Sequence, residues 1–368
     1  MESKKYYSYI TGLKGIACIF IMIGHFLGLY KYSQQFLPSI PLLDTILNSR
    51  VSYFLNEGYW LYLFFFLSGY LVSKSQINTV ADVVMKSLSR FFRLAFPVFF
   101  SYLLIYLIYC LIGFHTGQTA NLFKCDWFQN YYSEQYSIMH VLRSPLDVLF
   151  LGKSTLNGPY WVLRDMFISS IIIYILKYCY LFLSKKNEAI CFSVLVVVTF
   201  ATVIVSPIIT ACLIGMLISI YEDVGGILSK SYFSFWVIII AMSQYVFSGM
   251  FLFNIFFVFL ILYIPKVSLF DCILSSRPVV FLGKISWGIY SFHWPLMCSI
   301  GALLIINLQP QAGLINAFSL ACISSALITL VFSVIFYYTF ERLSSYLSTT
   351  IASCLKQITS RLSLLRSR

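Results

Sequence analysis

Two ionisable side chains, Lys14 and His25, stand eleven residues apart inside an apolar run that extends from about Ile10 to Tyr30. At about 100° per residue that interval is close to three helical turns, so both fall on one face roughly 16 Å apart, with Cys18 and Met22 between them. Ionisable groups facing lipid are costly, so the stripe must face other helices or a wet cavity. An imidazole that titrates near neutrality can take a proton from a hydroxyl, which makes His25 a candidate general base. The alternative is a histidine hydrogen-bonded between packed helices. Gly24-x-x-x-Gly28 around it is a pattern of close helix packing and fits both readings.

Three further constellations could carry chemistry. Ser89-Arg90-Phe91-Phe92-Arg93 precedes a long apolar run, and its i, i+3 spacing puts two guanidinium forks on one helix face, an arrangement suited to phosphate or, more plainly, to anchoring at a membrane surface. Tyr160-Trp161-Val162-Leu163-Arg164-Asp165 opens another run. Asp165 lies about five residues in from the outer end of its run, as His25 does in its own, so a carboxylate-imidazole pair is open to them; helix capping by Arg164 and Asp165 is the competing reading. In Gly283-Lys284-Ile285-Ser286-Trp287-Gly288-Ile289-Tyr290-Ser291-Phe292-His293-Trp294-Pro295, the side chains of Ser286, Tyr290 and His293 share a face, and Pro295 is expected to kink the helix there, as a cavity wall or as simple packing.

The elements that must position these residues are membrane helices. Of 368 residues, 60% are hydrophobic and 10% charged, against about 25% charged in soluble domains. Windows of about 20 apolar residues predict ten spans, near 10 to 30, 59 to 74, 94 to 114, 160 to 183, 189 to 205, 207 to 221, 232 to 247, 248 to 264, 285 to 306 and 313 to 340. The fold class expected is thus all-α and polytopic, with both termini on one side. That side holds most of the Lys and Arg, from Lys4 and Lys5 through Lys185, Lys186, Lys230 and Lys266 to Arg368; the opposite loops hold only Lys31, Arg50, Lys124, Arg143 and Lys153, so the termini should be cytoplasmic. This topology accounts for the net charge of +12 without nucleic acid as a partner. The first run is too long for a signal-peptide core and lacks a cleavage site, so it is expected to stay as span one.

The residues between spans add little chemistry. Ten scattered cysteines without a C-x-x-C pair suggest neither a disulfide framework nor a metal site. Trp127, Phe128, Tyr131, Tyr132 and Tyr136 in the long outer loop could stack on sugars or form an interfacial belt, the commoner use. Gly152-Lys153-Ser154-Thr155 has the ending of a phosphate loop, but Asp147 stands where that motif needs its first glycine, which excludes it. The basic stretch 342–368 reads as an interfacial tail after a transmembrane domain over 1–341.

Taken together, the motifs resemble the acyltransferase-3 family of polytopic bacterial membrane proteins, known as O-acetyltransferases of surface polysaccharides. The carriers are Gly12-Leu13-Lys14-Gly15-Ile16-Ala17 with His25, then Phe64-Phe65-Phe66-Leu67-Ser68-Gly69-Tyr70, Arg90-x-x-Arg93 with Pro97, Tyr160 to Asp165, Gly283 to Pro295, and Phe340-Glu341-Arg342. The chain departs from the family pattern at Thr11, Met166 and Leu343, where many members have an acidic residue, a Glu and a Pro.

The resemblance implies acyl transfer from cytoplasmic acyl-CoA, acetyl-CoA foremost, to a hydroxyl of a surface polysaccharide or its lipid-linked precursor, at a bacterial plasma membrane. It implies a catalytic His25 and a donor-binding Arg90 and Arg93. Around them the expected roles are Asp165 as partner of His25, Lys14 as donor-side electrostatics, and Ser68, Trp161, Tyr290 and His293 as substrate-binding groups; neither a bound cofactor nor a metal is expected. An exporter or small-solute transporter is the reading from another class, since polar residues within glycine-interrupted spans suit it too. A non-catalytic scaffold in glycan assembly is a third.

Overall fold

The computed structural model describes residues 2–33, 41–49, 52, 55–224 and 268–366. The spans expected near 232 to 247 and 248 to 264, and the flanking Lys230 and Lys266, lie outside them, as does Arg50. Among the described residues all regular structure is helical. Among the described residues five helices are long and apolar enough to cross a bilayer, Ser8–Lys31, Val80–Leu111, Gly158–Leu183, Ser286–Ala312 and Leu314–Cys354, and three apolar helices are shorter, Trp60–Ser73, Glu188–Ile204 and Pro207–Ile220. The protein is a multi-pass membrane protein, all-helical among the described residues.

In chain order the helices are α1 (Glu2–Lys31), α2 (Pro41–Leu47), α3 (Glu57–Ser73), α4 (Val80–Leu111), α5 (Thr116–Phe123), α6 (Asp126–Gln129), α7 (Ile138–Leu146), α8 (Leu163–Leu183), α9 (Glu188–Ala201), α10 (Pro207–Val224), α11 (Ser268–Leu274), α12 (Arg277–Lys284), α13 (Ser286–Leu296), α14 (Ala302–Ala312), α15 (Leu314–Phe336) and α16 (Arg342–Arg366). They divide into two compact units, one formed by residues 1–60, 95–161 and 273–343, the other by 61–94, 162–272 and 344–368.

In the first unit α1 crosses α12 backbone to backbone. A Cβ added to Gly15 would lie 2.4 Å from the Gly283 nitrogen, and one on Gly283 would lie 1.7 Å from the Thr11 carbonyl oxygen. The glycines of Gly12-Leu13-Lys14-Gly15 and Gly283-Lys284 therefore serve contact between helices. That contact sets α1 beside α12 and the following α13, which carries His293. After Pro295, α13 passes through a π-helical turn, Met297–Gly301, into α14, and the continuous span α13–α14 packs along α15.

In the second unit α3 packs on α10 through Gly69, whose added Cβ would meet the Cys212 carbonyl oxygen at 1.7 Å. Lys177 of α8 donates to the carbonyls of Ser73 and Ser75 at the end of α3, satisfying groups that a helix terminus leaves without partners. Helix α4 begins well before the span expected near residue 94. The Thr79 hydroxyl accepts from the Asp82 amide at 3.1 Å while Asp82 accepts from the Thr79 amide at 2.9 Å, a reciprocal cap that starts the helix at Val80. Arg90 and Arg93 consequently lie inside a formed helix, three turns from its start.

Candidate active site

His25 on α1 meets His293 on α13, with His25 Nδ1 and His293 Nε2 2.8 Å apart and the two rings nearly parallel, 7° between planes. His293 is fully buried, whereas His25 is partly accessible. Elementary valence assigns the protons. His293 Nδ1 lies 2.9 Å from the Ile289 carbonyl oxygen, which can only accept, so Nδ1 carries the hydrogen. A neutral His293 then presents a bare Nε2, to which His25 must donate from its own Nδ1. The remaining nitrogen of His25, Nε2, is left with its lone pair, which is the state a general base requires.

The proline after this histidine explains a further contact. Pro295 has no N–H, so the Ser291 carbonyl four residues back loses its helical donor. Asn157 Nδ2 donates to that carbonyl at 2.9 Å instead. Close by, the buried Tyr160 hydroxyl bonds the Ser291 hydroxyl at 2.5 Å and the Ser101 hydroxyl at 2.9 Å, and the Tyr290 hydroxyl donates to the Pro159 carbonyl. Tyr160 and Tyr290 thus clamp the 157–161 segment to α13. Trp161, in contrast, is 53% exposed and directs little surface into the unit.

The loop aromatics gather around Trp294. Its ring centroid lies 4.9 Å from Tyr131, 5.2 Å from Trp127, 5.7 Å from Phe128 and 5.5 Å from His25. Trp127, Phe128 and Tyr131 therefore pack on Trp294, which in turn lies against His25. Burial raises the phenol pKa of Tyr131, and burial with help from Glu134 pushes that of Tyr136 up to about 12, so both stay protonated.

In the second unit the two arginines differ. Arg90 Nε donates to the Ser170 hydroxyl at 3.2 Å and its Nη2 to the Ser68 hydroxyl at 3.0 Å, while Arg93, one turn on, is exposed. Ser68, expected to touch substrate, holds a guanidinium in place. Asp165 is buried, with Oδ1 accepting from Arg164 Nε at 2.9 Å and Oδ2 from the Ser206 hydroxyl at 2.8 Å. Both of its oxygens are engaged inside this unit, and the ring partner that the structure gives His25 is His293. Lys14 is half-buried on α1, one turn before the buried Cys18.

Asn157, Ser101 and Ser170 escaped sequence reasoning because single polar residues in loops or spans have no spacing signature. Only Pro295 pointed to a partner, since a proline in a buried helix predicts a stranded carbonyl. Among the described residues, no group of three His, Cys, Asp or Glu side chains is placed to hold a metal ion.

Comparison with protein families places a match over residues 7–338, to a family model described as an acyltransferase domain, that of the acyltransferase-3 family. No curated protein and no solved structure matches the chain.

Proposed function

From the premise that this chain belongs to the acyltransferase-3 family, which implies membrane acyltransferase activity, we propose that it is an O-acyltransferase, and an O-acetyltransferase foremost. Its donor is acyl-CoA from the cytoplasm and its acceptor is a hydroxyl on a cell-surface polysaccharide or the lipid-linked precursor of one. Ten spans with cytoplasmic termini, in a bacterial plasma membrane, complete the reading. The asymmetry of Lys and Arg between alternate loops supports that orientation.

The observation that carries the proposal is the hydrogen-bond chain from His25 through His293 to the Ile289 carbonyl, which leaves a lone pair on His25 Nε2. In the proposed step that nitrogen takes the acceptor's hydroxyl proton as the oxygen attacks the thioester carbonyl. The tetrahedral oxyanion collapses, the C–S bond breaks, and the departing CoA thiolate recovers the proton from the His25 imidazolium. The products are an ester and free CoA. His293 accepts from His25 Nδ1 throughout and favours the imidazolium. Arg90, pre-oriented by Ser68 and Ser170, and the exposed Arg93 supply paired donors for the phosphates of CoA.

Purified protein in liposomes, given acetyl-CoA labelled in the acetyl group and an alkali-stripped surface polysaccharide, is expected to place label in alkali-labile ester on the glycan. Glycan movement across the bilayer with no consumption of acetyl-CoA would identify an exporter instead.

A further inference from the structure

A cavity of about 240 Å³ opens at the outer end of α1, lined by Gly24, Gly28, Lys31, Tyr32, Asn56 and Glu57 together with Leu27, Leu47, Ser52 and Leu55. All of these residues belong to the first unit, and the cavity begins at the residue next to His25. Its volume is just below the range of about 300–1,000 Å³ for pockets that hold drug-sized ligands, so it suits one ring-sized group.

The lining describes that group. Gly24 and Gly28 let neighbours close on α1 at one wall, the Leu55 carbonyl and Glu57 filling the place of a Cβ at Gly24 and Trp127 that at Gly28. A Cβ on Gly24 would stand 2.9 Å from Glu57 Oε2, so the carboxylate sits directly over the residue preceding the base. Tyr32 is 51% exposed and leans on Trp127, with ring centroids 5.1 Å apart, giving a supported aromatic face at the rim. Lys31 Nζ lies 6.0 Å from the centre of that ring. Asn56 Oδ1 accepts from the Gly58 amide and the Ser52 hydroxyl donates to the Ser49 carbonyl, which leaves the Asn56 amide hydrogens and the Ser52 lone pairs for a guest.

A carboxylate, an amide, a hydroxyl and an aromatic face around a ring-sized space match a polyhydroxylated ring. An acyl chain would strand these polar groups without partners, and a phosphate would meet the Glu57 carboxylate. Gly24, in the cavity wall, is the chain neighbour of His25, and along α1 Gly28 lies about 4.5 Å and Lys31 about 9 Å beyond His25 in axial rise, so a ring in the cavity lies within about two helical turns of the residue that carries the imidazole. We propose that this cavity is the acceptor site: it holds one sugar ring of the glycan, with Glu57 accepting from the ring's hydroxyls and Tyr32 lying against its face. This deepens the acyltransferase reading and rests on it for the role of the bound sugar, though not for the binding itself.

The test measures binding and turnover separately. Labelled oligosaccharide fragments of the host's alkali-stripped surface polysaccharide are bound at equilibrium to the wild-type protein, Glu57→Gln and Leu47→Trp, with acetyl-CoA binding measured in parallel. The expected result is about tenfold weaker saccharide binding for Glu57→Gln and near-complete loss for Leu47→Trp, which fills the cavity, with acetyl-CoA affinity within twofold of wild type. Saccharide binding unchanged in both variants, or acetyl-CoA binding lost to the same degree as saccharide binding, overturns the assignment. If the variants weaken saccharide binding and the wild-type protein transfers no acetyl group, the site stands and the acyltransferase reading falls.

Discussion

Replacing His293 separates a positioning role from mere packing. In His293→Phe a buried ring remains, but His25 Nδ1–H loses the acceptor that stood 2.8 Å away. An unsatisfied donor in a buried place costs about 1–3 kcal/mol. The imidazole recovers part of that cost by shifting its proton to Nε2, which removes the lone pair that the proposed reaction uses. At about 1.4 kcal/mol per factor of ten, a bias of about 2 kcal/mol against the productive tautomer lowers kcat by about 30-fold. That is less than the 10²–10⁴-fold typical of losing a general base. His293→Gln keeps an acceptor oxygen and should recover kcat to within about fivefold of wild type. KM for acetyl-CoA should stay within twofold in both. The assay is steady-state transfer of labelled acetyl to stripped polysaccharide, with thermal unfolding in detergent as a check on the fold. Full kcat in a folded His293→Phe, or a Gln variant no better than Phe, would refute the assigned proton pattern.

Other perturbations probe separate parts of the account. Gly283→Val should prevent stable folding, since its Cβ would collide with the Thr11 carbonyl oxygen at 1.7 Å, whereas Gly117→Ala, with open space around it, should change stability by no more than about 0.5 kcal/mol; thermal melts of detergent-solubilised protein decide. Asp165→Asn loses its ion pair with the half-exposed Arg164 but keeps an acceptor for Ser206, so kcat should stay within about threefold, and a collapse in kcat would return Asp165 to the partnership with His25. Arg90→Lys should raise KM for acetyl-CoA about tenfold because an ammonium cannot reproduce the fork that reaches both Ser68 and Ser170, while Arg93→Lys should keep KM within about threefold.

Much of this was readable in the chain because membranes restrict what a sequence can mean. The apolar runs marked α1, α3, α8, α13 and α15, and a histidine in a span is costly enough to single out His25. The start of α4 lay earlier than its apolar run because a polar cap, Thr79 with Asp82, decides where a helix begins, and hydropathy does not register caps. Gly12 and Gly15 were read with Lys14 as one motif, yet the glycines belong to a helix crossing. His293 was legible as a buried polar group but not as the neighbour of His25, because 268 residues separate the two and only tertiary packing brings them together. Ser68 and Tyr290 were expected to meet substrate, and the partners the structure gives them, Arg90 and the Pro159 carbonyl, could not be derived from spacing along one chain.

The central claim, that His25 Nε2 is the base in acyl transfer, meets its most direct test in one measurement. Label transfer from acetyl-CoA to the stripped polysaccharide is compared between wild-type protein and a folded His25→Ala variant that still binds acetyl-CoA. Loss of at least about 100-fold in kcat, with donor affinity retained, is the predicted result. Transfer by His25→Ala at a rate near that of wild type would contradict it.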